Sequence, residues 1–342
     1  MVTVGLLGTG LIGTSIGIGL ASRGWKVVGW DPDPGALARA GSIGGITRAA
    51  DSWEDAVAVA DLVVLAGPVS AIVDTLGRIS TRAVVTDVAG VKRPVVDAAR
   101  HLPRFVGGHP MAGREVSGPA GASGSLFHGA TWVITPEGAD QDAVDTVESM
   151  VTTLGAVPVE MSADEHDRAV ALSSHLPHLV AAALVGAVAD DGAALRLAAG
   201  GFRDLTRIAM SDPGWWIEVL LANREAAGAA LASLVARLEA LRGALEAEDG
   251  ARLGEVLASA RRERAAMGAP VATVGVILED RPGEIARVGH ALSESGVDLR
   301  DLQLRHATHG GGGVLTLSVR SEELAGLRRA LMEEGFSLLE TR

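Results

Sequence analysis

Three groups of residues in this chain have the types and spacing that do chemistry. The first is Gly8-Thr9-Gly10-Leu11-Ile12-Gly13, preceded by an apolar run (Val4–Leu7) and followed by a helical pattern that Gly24 stops. A second apolar strand, Trp25–Trp30, then ends in Asp31. Between a strand and a helix, Gly8 makes the tight turn, Gly10 lets the backbone approach a pyrophosphate, and Gly13 lets helix and strand pack closely. The pyrophosphate would rest on the free N–H groups of a helix starting near Leu11. Asp31, 18 residues past Gly13, would accept hydrogen bonds from the adenosine ribose hydroxyls. With no cation in Pro32-Asp33-Pro34-Gly35, that carboxylate repels a 2′-phosphate and selects NAD over NADP. The plain alternative is a glycine-rich turn in an ordinary βαβ unit.

The second group is Gly108-His109-Pro110-Met111-Ala112-Gly113-Arg114-Glu115, just beyond a predicted strand Phe105–Gly107. Open α/β sheets bind ligands outside the carboxyl ends of their strands, so His109 would face a bound nicotinamide. Its pKa near working pH suits it to take a hydroxyl proton while hydride leaves the same carbon. A loop histidine resting on a backbone carbonyl is the alternative.

The third group is His166-Asp167, followed by Ser174-His175-Leu176-Pro177-His178. On a helix of 3.6 residues per turn, Asp167, Ser174 and His178 share a face and His175 turns away. Substrate contact, structural hydrogen bonding and metal binding all stay open, although no H-E-x-x-H spacing is present. Further on, Arg207 follows Gly200-Gly201 and precedes a helix start, where its planar fork could grip a carboxylate. A surface ion pair is the bland reading.

The elements that would hold these groups fall into three segments. Apolar runs at Leu62–Ala66, Ala83–Asp87, Phe105–Gly107, Trp132–Thr135 and Val157–Met161 alternate with helical stretches. That predicts a mostly parallel sheet covered on both faces, an α/β Rossmann-type dinucleotide-binding domain over residues 1–160. Residues 161–268 have almost no strand signal and read as an all-α substrate and dimerisation domain. A capping box, Ser162 to Glu165, opens one helix, and alanine-rich helix continues past Pro177 to about Ala189. A long helix is expected from Pro213 to Glu248, with Asp212 as its cap. Its seam of Leu231, Leu234, Leu238, Leu241 and Leu245 calls for a partner helix, which favours a dimer core. Residues 269–342 read β-α-β-β-α-β, a ferredoxin-like unit with the turn Asp280-Arg281-Pro282-Gly283 after its first strand.

Composition narrows the function classes. The 342 residues carry a formal net charge of −12 and no basic cluster, which argues against nucleic-acid binding. Without cysteine there are no disulfides and no thiolate metal sites. The N-terminus enters a strand directly, without a signal-peptide pattern. Apolar stretches look too short or too interrupted to span a bilayer, so a cytoplasmic protein that binds no membrane is expected.

The segments His109–Gly113 (HPMAG), Ser174–His178 (SHLPH) and Asp204–Ala209 (DLTRIA), in that order, are highly specific. Over residues 3 to about 250 the chain resembles the prephenate/arogenate dehydrogenase family of tyrosine biosynthesis, and residues 269–342 resemble an ACT domain. The resemblance implies an NAD-dependent oxidative decarboxylation of prephenate to 4-hydroxyphenylpyruvate by a homodimer, with no metal. It makes His109 the acceptor of the ring hydroxyl proton and places Arg207 on a substrate carboxylate. His178 would contact the side chain carrying the keto or amino group, and Trp216 would reach into the neighbouring subunit's site. Ser174, Gly200, Arg114 and Glu115 join them around the substrate, and Pro68 joins Gly8, Gly10, Leu11, Ile12, Gly13 and Asp31 at the cofactor. Tyrosine is the implied effector at Asp280, Arg281, Pro282 and Gly283. Two positions depart from the pattern. The family commonly reads D-x-[AG]-S-x-K where this chain has Asp87-Val88-Ala89-Gly90-Val91-Lys92, and Arg114 replaces a common threonine. Gly90 keeps arogenate and 4-amino-4-deoxyprephenate open as substrates, and an inactive sensor of NAD and amino acids open as a non-enzyme.

Overall fold

The computed structural model describes residues 2–113, 118–266, 271–279, 281–306 and 313–339. The chain forms two compact units, Met1–Arg237 and Leu238–Arg342.

The first unit is built on one sheet. Its strands are β1 (Thr3–Leu7), β2 (Lys26–Trp30), β3 (Arg48–Ala49), β4 (Leu62–Leu65), β5 (Val84–Asp87), β6 (Phe105–Pro110), β7 (Thr131–Thr135) and β8 (Val157–Glu160). They lie in the order β3-β2-β1-β4-β5-β6-β7-β8, with β6 and β7 antiparallel and the other neighbours parallel. The first six follow the Rossmann order, whose direction reverses between β1 and β4. The two-residue β3 was not expected from the sequence, because so short a pairing leaves no apolar run to read.

Helices α1 (Leu11–Ala21), α2 (Pro34–Ser42), α3 (Trp53–Ala58), α4 (Val69–Arg78), α5 (Arg93–Ala98) and α6 (Gln141–Thr153) connect these strands. Strand β4 shows why its sequence is apolar without alternation. Leu62 and Val64 pack into one core with Ile16, Leu20, Val147 and Met150, while Val63 and Leu65 pack into a second with Ile72, Leu76 and Val95. Both faces are covered, so every residue of the strand is buried.

After β8 the unit turns helical. The Ser162–Glu165 capping box opens α7 (Ala163–Val170), which passes through a π-helical turn, Ala171–His175, into α8 (Leu176–Val188). This 26-residue run is, by length and hydropathy, long and apolar enough to cross a bilayer, contrary to the sequence expectation. Its buried His166 and Asp167 point to a different use, because such groups are costly in lipid. Short helices α9 (Gly192–Leu197) and α10 (Gly200–Thr206) lead to α11 (Pro213–Ala222), capped by Asp212, which accepts from Trp215 N at 3.0 Å. The single long helix expected from Pro213 to Glu248 is two helices. Helix α12 (Arg224–Glu246) leaves α11 at 94° across Asn223, whose side chain is claimed by neighbours described below. Leu231, Leu238 and Leu245 on α12 are exposed in the single chain.

In the second unit, α13 (Gly250–Ala266) precedes β9 (Val271–Leu278), α14 (Glu284–Ser295), β10 (Asp301–His306), β11 (Gly313–Arg320), α15 (Leu324–Glu333) and β12 (Ser337–Leu339). The strands form an antiparallel sheet ordered β10-β11-β9-β12, the expected βαββαβ arrangement. Val274 and Val276 from β9 and Leu315, Leu317 and Val319 from β11 bury one face of this sheet under Val288, Leu327 and Leu331 of the two helices.

Candidate active site

The glycine-rich loop joins β1 to α1. Gly8 has φ +100°, and a Cβ there would meet Ala66 O at 2.5 Å. A Cβ on Gly13 would meet Gly8 O at 2.1 Å, so only glycine lets α1 sit this close to the loop. Over Gly10, by contrast, a Cβ would find nothing within 4 Å. The mouth of the loop is open beside the N-terminus of α1, where Leu11 and Ile12 begin the helix, and Pro68 stands just before α4 on the β4 side. Asp31 follows β2, and its Oδ2 accepts from Thr9 N (2.6 Å) and Thr9 Oγ1 (3.0 Å) while Oδ1 accepts from Asp33 N (2.8 Å). The carboxylate therefore pins the loop, a task the sequence did not reveal. The cradle fits a dinucleotide: an open glycine, free helix N–H groups and an acid at the end of β2.

His109 lies inside β6 and not beyond it, opposite Val133 of β7. The antiparallel pairing with β7 carries the strand through Pro110, past the glycines where the sequence suggested it stops. A buried ion pair holds the residue before it. Asp87 Oδ1 accepts from Gly108 N at 3.0 Å, and Lys92 Nζ donates to Gly108 O at 2.6 Å and to Asp87 Oδ2. Both side chains are wholly buried. Burial lowers the Lys92 pKa, against the pull of Asp87 and Asp167.

The Nδ1 atom of His109 lies 2.8 Å from Nε2 of His166, and His166 Nδ1 lies 2.8 Å from Asp167 Oδ1. Asp167 also accepts from the backbone N–H of Lys92 (2.7 Å) and Arg93 (2.9 Å). Burial alone would raise the Asp167 pKa, but the bonds from His166, Arg93 and Lys92 outweigh it and hold the carboxyl below its ordinary value. His109 is pushed well below the ordinary imidazole value, first by burial and then by His166, Lys92 and His175. Its other nitrogen, Nε2, faces Gly90, where a Cβ would stand 3.7 Å away in ordinary contact.

The π turn changes which side chains share a face. One wide turn shifts the helical phase, so His175 is buried and lies 3.2 Å through Nδ1 from Asn223 Nδ2, contrary to the expectation that it turns away. Asn223 Nδ2 also donates to Asp167 O at 2.8 Å, which ties the α11–α12 corner to α7. Burial lowers the His175 pKa to about 4 and also lowers that of His178. Trp216 stacks on His178 of its own chain, with ring centroids 3.5 Å apart and planes at 31°. Ser174 is half-buried, Gly200 opens α10, and Arg207 is exposed at the start of a 3₁₀ turn, Arg207–Met210. Arg114, Glu115 and Asp280 lie outside the described residues. Among the described residues no set of three histidine or carboxylate groups is arranged to hold a metal ion. Sequence reading met Asp87 and Lys92 only in the stretch around Gly90 and gave them no role, and it passed over Asn223. A lone lysine after an apolar strand was the available signal for the ion pair.

Comparisons with known proteins show the family. Residues 17–160 match the family model for the prephenate dehydrogenase nucleotide-binding domain, and residues 162–259 match that for its dimerization domain. The chain is 32% identical to the prephenate dehydrogenase of Bacillus subtilis, over 94% of this chain and 93% of that one. The chain belongs to the prephenate dehydrogenase family. Among solved structures of the family, Aquifex aeolicus prephenate dehydrogenase, in complex with hydroxyphenyl propionate and NAD+, superposes with TM-score 0.72. It is 30% identical, covering 78% of this chain and 99% of that one. Synechocystis arogenate dehydrogenase gives TM-score 0.69 at 29% identity, covering 78% of this chain and 100% of that one.

The histidine cluster gives this family member a predictable pH dependence. His109, His175 and His178 have folded-state pKa values below the ordinary value of about 6.5, so the unfolded chain binds more protons and stability rises with pH. Stability should fall as pH drops from about 6.5 toward about 4, the value for His175. Asp167, whose folded pKa is lowered, adds stability that disappears only at still lower pH. Urea midpoints should thus be lower at about pH 5 than at about pH 7.5, and equal midpoints would contradict the assignment of buried neutral imidazoles.

Proposed function

We propose that the protein is an NAD-dependent prephenate dehydrogenase, active as a homodimer, that converts prephenate to 4-hydroxyphenylpyruvate and carbon dioxide. The observation that carries this reading is His109. It stands near the carboxyl end of β6, in the sheet whose β1 carries the dinucleotide cradle, with one nitrogen anchored by His166 and the other facing the open side at Gly90. His109 Nε2 takes the proton of the ring C4 hydroxyl, Arg207 holds a substrate carboxylate, and His178, stacked on Trp216, faces the substrate side chain. When bound, the nicotinamide supplies the acceptor for the hydride leaving C4. The ring carboxylate departs as carbon dioxide and the ring becomes aromatic, which drives the reaction. The protein is left to position the ring, remove one proton and neutralise charge. Asp31 supports NAD over NADP, since a 2′-phosphate would meet it as a like charge. The dimer rests on the dimerization-domain match and the exposed leucines of α12.

A second substrate reading has one observation in its favour. Gly90 leaves space beside Nε2 where a C4 substituent would lie, so a ring with a 4-amino group, as in 4-amino-4-deoxyprephenate, also fits. The βαββαβ unit supports a regulatory role of ACT type, with tyrosine at the turn that Arg281, Pro282 and Gly283 form before α14.

Replacing His109 with Asn should cut turnover of prephenate with NAD by about 10²–10⁴-fold and leave KM nearly unchanged, followed by absorbance of the reduced nicotinamide. Arg207→Ala should chiefly raise KM. Near-normal turnover in His109→Asn would move the proton acceptor elsewhere.

At position 90, a serine hydroxyl lies one bond beyond a Cβ that is 3.7 Å from Nε2, within reach of that nitrogen. Placed between the substrate hydroxyl and Nε2, that serine would accept from the one and donate to the other, so Gly90→Ser should raise prephenate turnover by about three- to tenfold, the worth of one positioning hydrogen bond. A folded Gly90→Ser protein that loses prephenate turnover would favour the 4-amino substrate.

Tyrosine should inhibit the full chain, and a chain lacking residues 270–342 should keep activity without that response. Equal sensitivity in both forms would place inhibition in the active site.

A further inference from the structure

With His166 neutral, the hydrogen bonds around Asp167 decide which nitrogen of His109 carries a proton. A carboxylate only accepts, and Asp167 takes the N–H groups of Lys92 and Arg93 as well as His166 Nδ1. His166 Nδ1 is therefore the donor of its bond to Asp167. A neutral imidazole with a proton on Nδ1 has a lone pair on Nε2, so His166 Nε2 accepts and His109 Nδ1, 2.8 Å away, donates. What remains on His109 is a lone pair on Nε2, the nitrogen that faces the open side beside Gly90.

We propose that His166 and Asp167 are positioning residues that lock His109 in its Nδ1–H form and aim a bare Nε2 at the substrate hydroxyl. This rests on the functional reading given above and adds to it two residues that touch neither substrate nor cofactor. The step balances simply. The hydroxyl proton moves to Nε2, the Nδ1–H bond to His166 stays, and the imidazolium charge faces the Asp167 carboxylate through the intervening ring. In a Ser-His-Asp triad one carboxylate performs both services directly. Here a second imidazole carries them across.

The arrangement is rigid on every side. His166 is fully buried and Asp167 nearly so. Asp167 is fixed through its side chain by two N–H groups at the start of α5 and through its carbonyl by Asn223. Among the described residues, the other charged or titratable groups around His109 are Lys92, itself bound to Asp87, and His175, whose Nδ1 accepts from Asn223. The His109 and His166 rings meet nearly edge-on, at 77°, which directs Nδ1 of one at Nε2 of the other.

Two measurements test this. In the intact protein with 15N-labelled histidine, the His109 resonances, assigned by their loss in His109→Asn, should show a protonated Nδ1 and a bare Nε2 at neutral pH. A proton on Nε2 would mean that His166 donates at both nitrogens, and would overturn the proposal. His166→Phe keeps a ring of similar size but removes both bonds. It should let His109 take up the Nε2–H form and should lower kcat by about 10²-fold, with KM for prephenate and affinity for NAD within about twofold. Wild-type kcat in a folded His166→Phe protein would overturn the proposal. Should that variant not fold, the spectrum of the unaltered protein decides alone. A protein that shows the Nδ1–H form yet never turns over prephenate would refute the functional reading and leave the relay standing.

Discussion

A lysine and an aspartate removed from water together impose the strictest condition on this structure. The desolvation of Lys92 and Asp87 is offset only if their remaining protons and lone pairs find partners. Each partner found is also a positioning contact. Asp87 receives Ala89 N, Gly108 N and the ammonium, while Lys92 reaches Gly108 O with Nζ and gives its backbone N–H to Asp167. Removing one member of such a pair costs about 3–5 kcal/mol because the other charge is left buried. The path of residues 88–92 and the placement of His109 on β6 are thus tied to one ion pair, and the backbone of Lys92 carries the link on to α7.

Legibility in the sequence followed the length scale of the interactions. The Rossmann half could be read, apart from the two-residue β3, because its doubly covered inner strands leave apolar runs, and the glycine loop because its steric demands admit no other residue at Gly8 and Gly13. The βαββαβ unit was legible from its strand runs and turns, although its sheet is buried on one face only. His109 stood out through its glycines and its place near a strand end. Features that depend on a single long-range bond left no periodic trace. The bend at Asn223 exists because its side chain serves Asp167 O and His175, 56 and 48 residues away in sequence. Regular helical spacing misplaced His175, since the π turn is invisible to a 3.6-residue period.

These irregularities lie together. The π turn at Ala171–His175, the 94° corner at Asn223, the buried charges at positions 87 and 92 and the bare backbone at Gly90 all border the His109–His166–Asp167 line. Local rules are broken where chemistry has to be done, and regular packing elsewhere supports the exceptions. A standard helix through residues 163–188 would be locally more favourable, but would carry His175 away from Asn223.

The same run explains its own hydropathy. Its inward side carries His166, Asp167 and His175, each engaged in hydrogen bonds, while Leu172, Val180 and Val185 are exposed in the single chain. Leu205, Met210, Ile217 and Leu221 on the following helices are exposed as well. Exposed apolar residues in such number fit the match to a dimerization domain, and the helices that carry them are the ones that hold His178, Arg207 and Trp216. In the proposed function, the same helical segment therefore serves both substrate binding and association. A second copy packed on the outer side would stiffen the inner side, so in the proposed dimer the precision of the site depends on assembly.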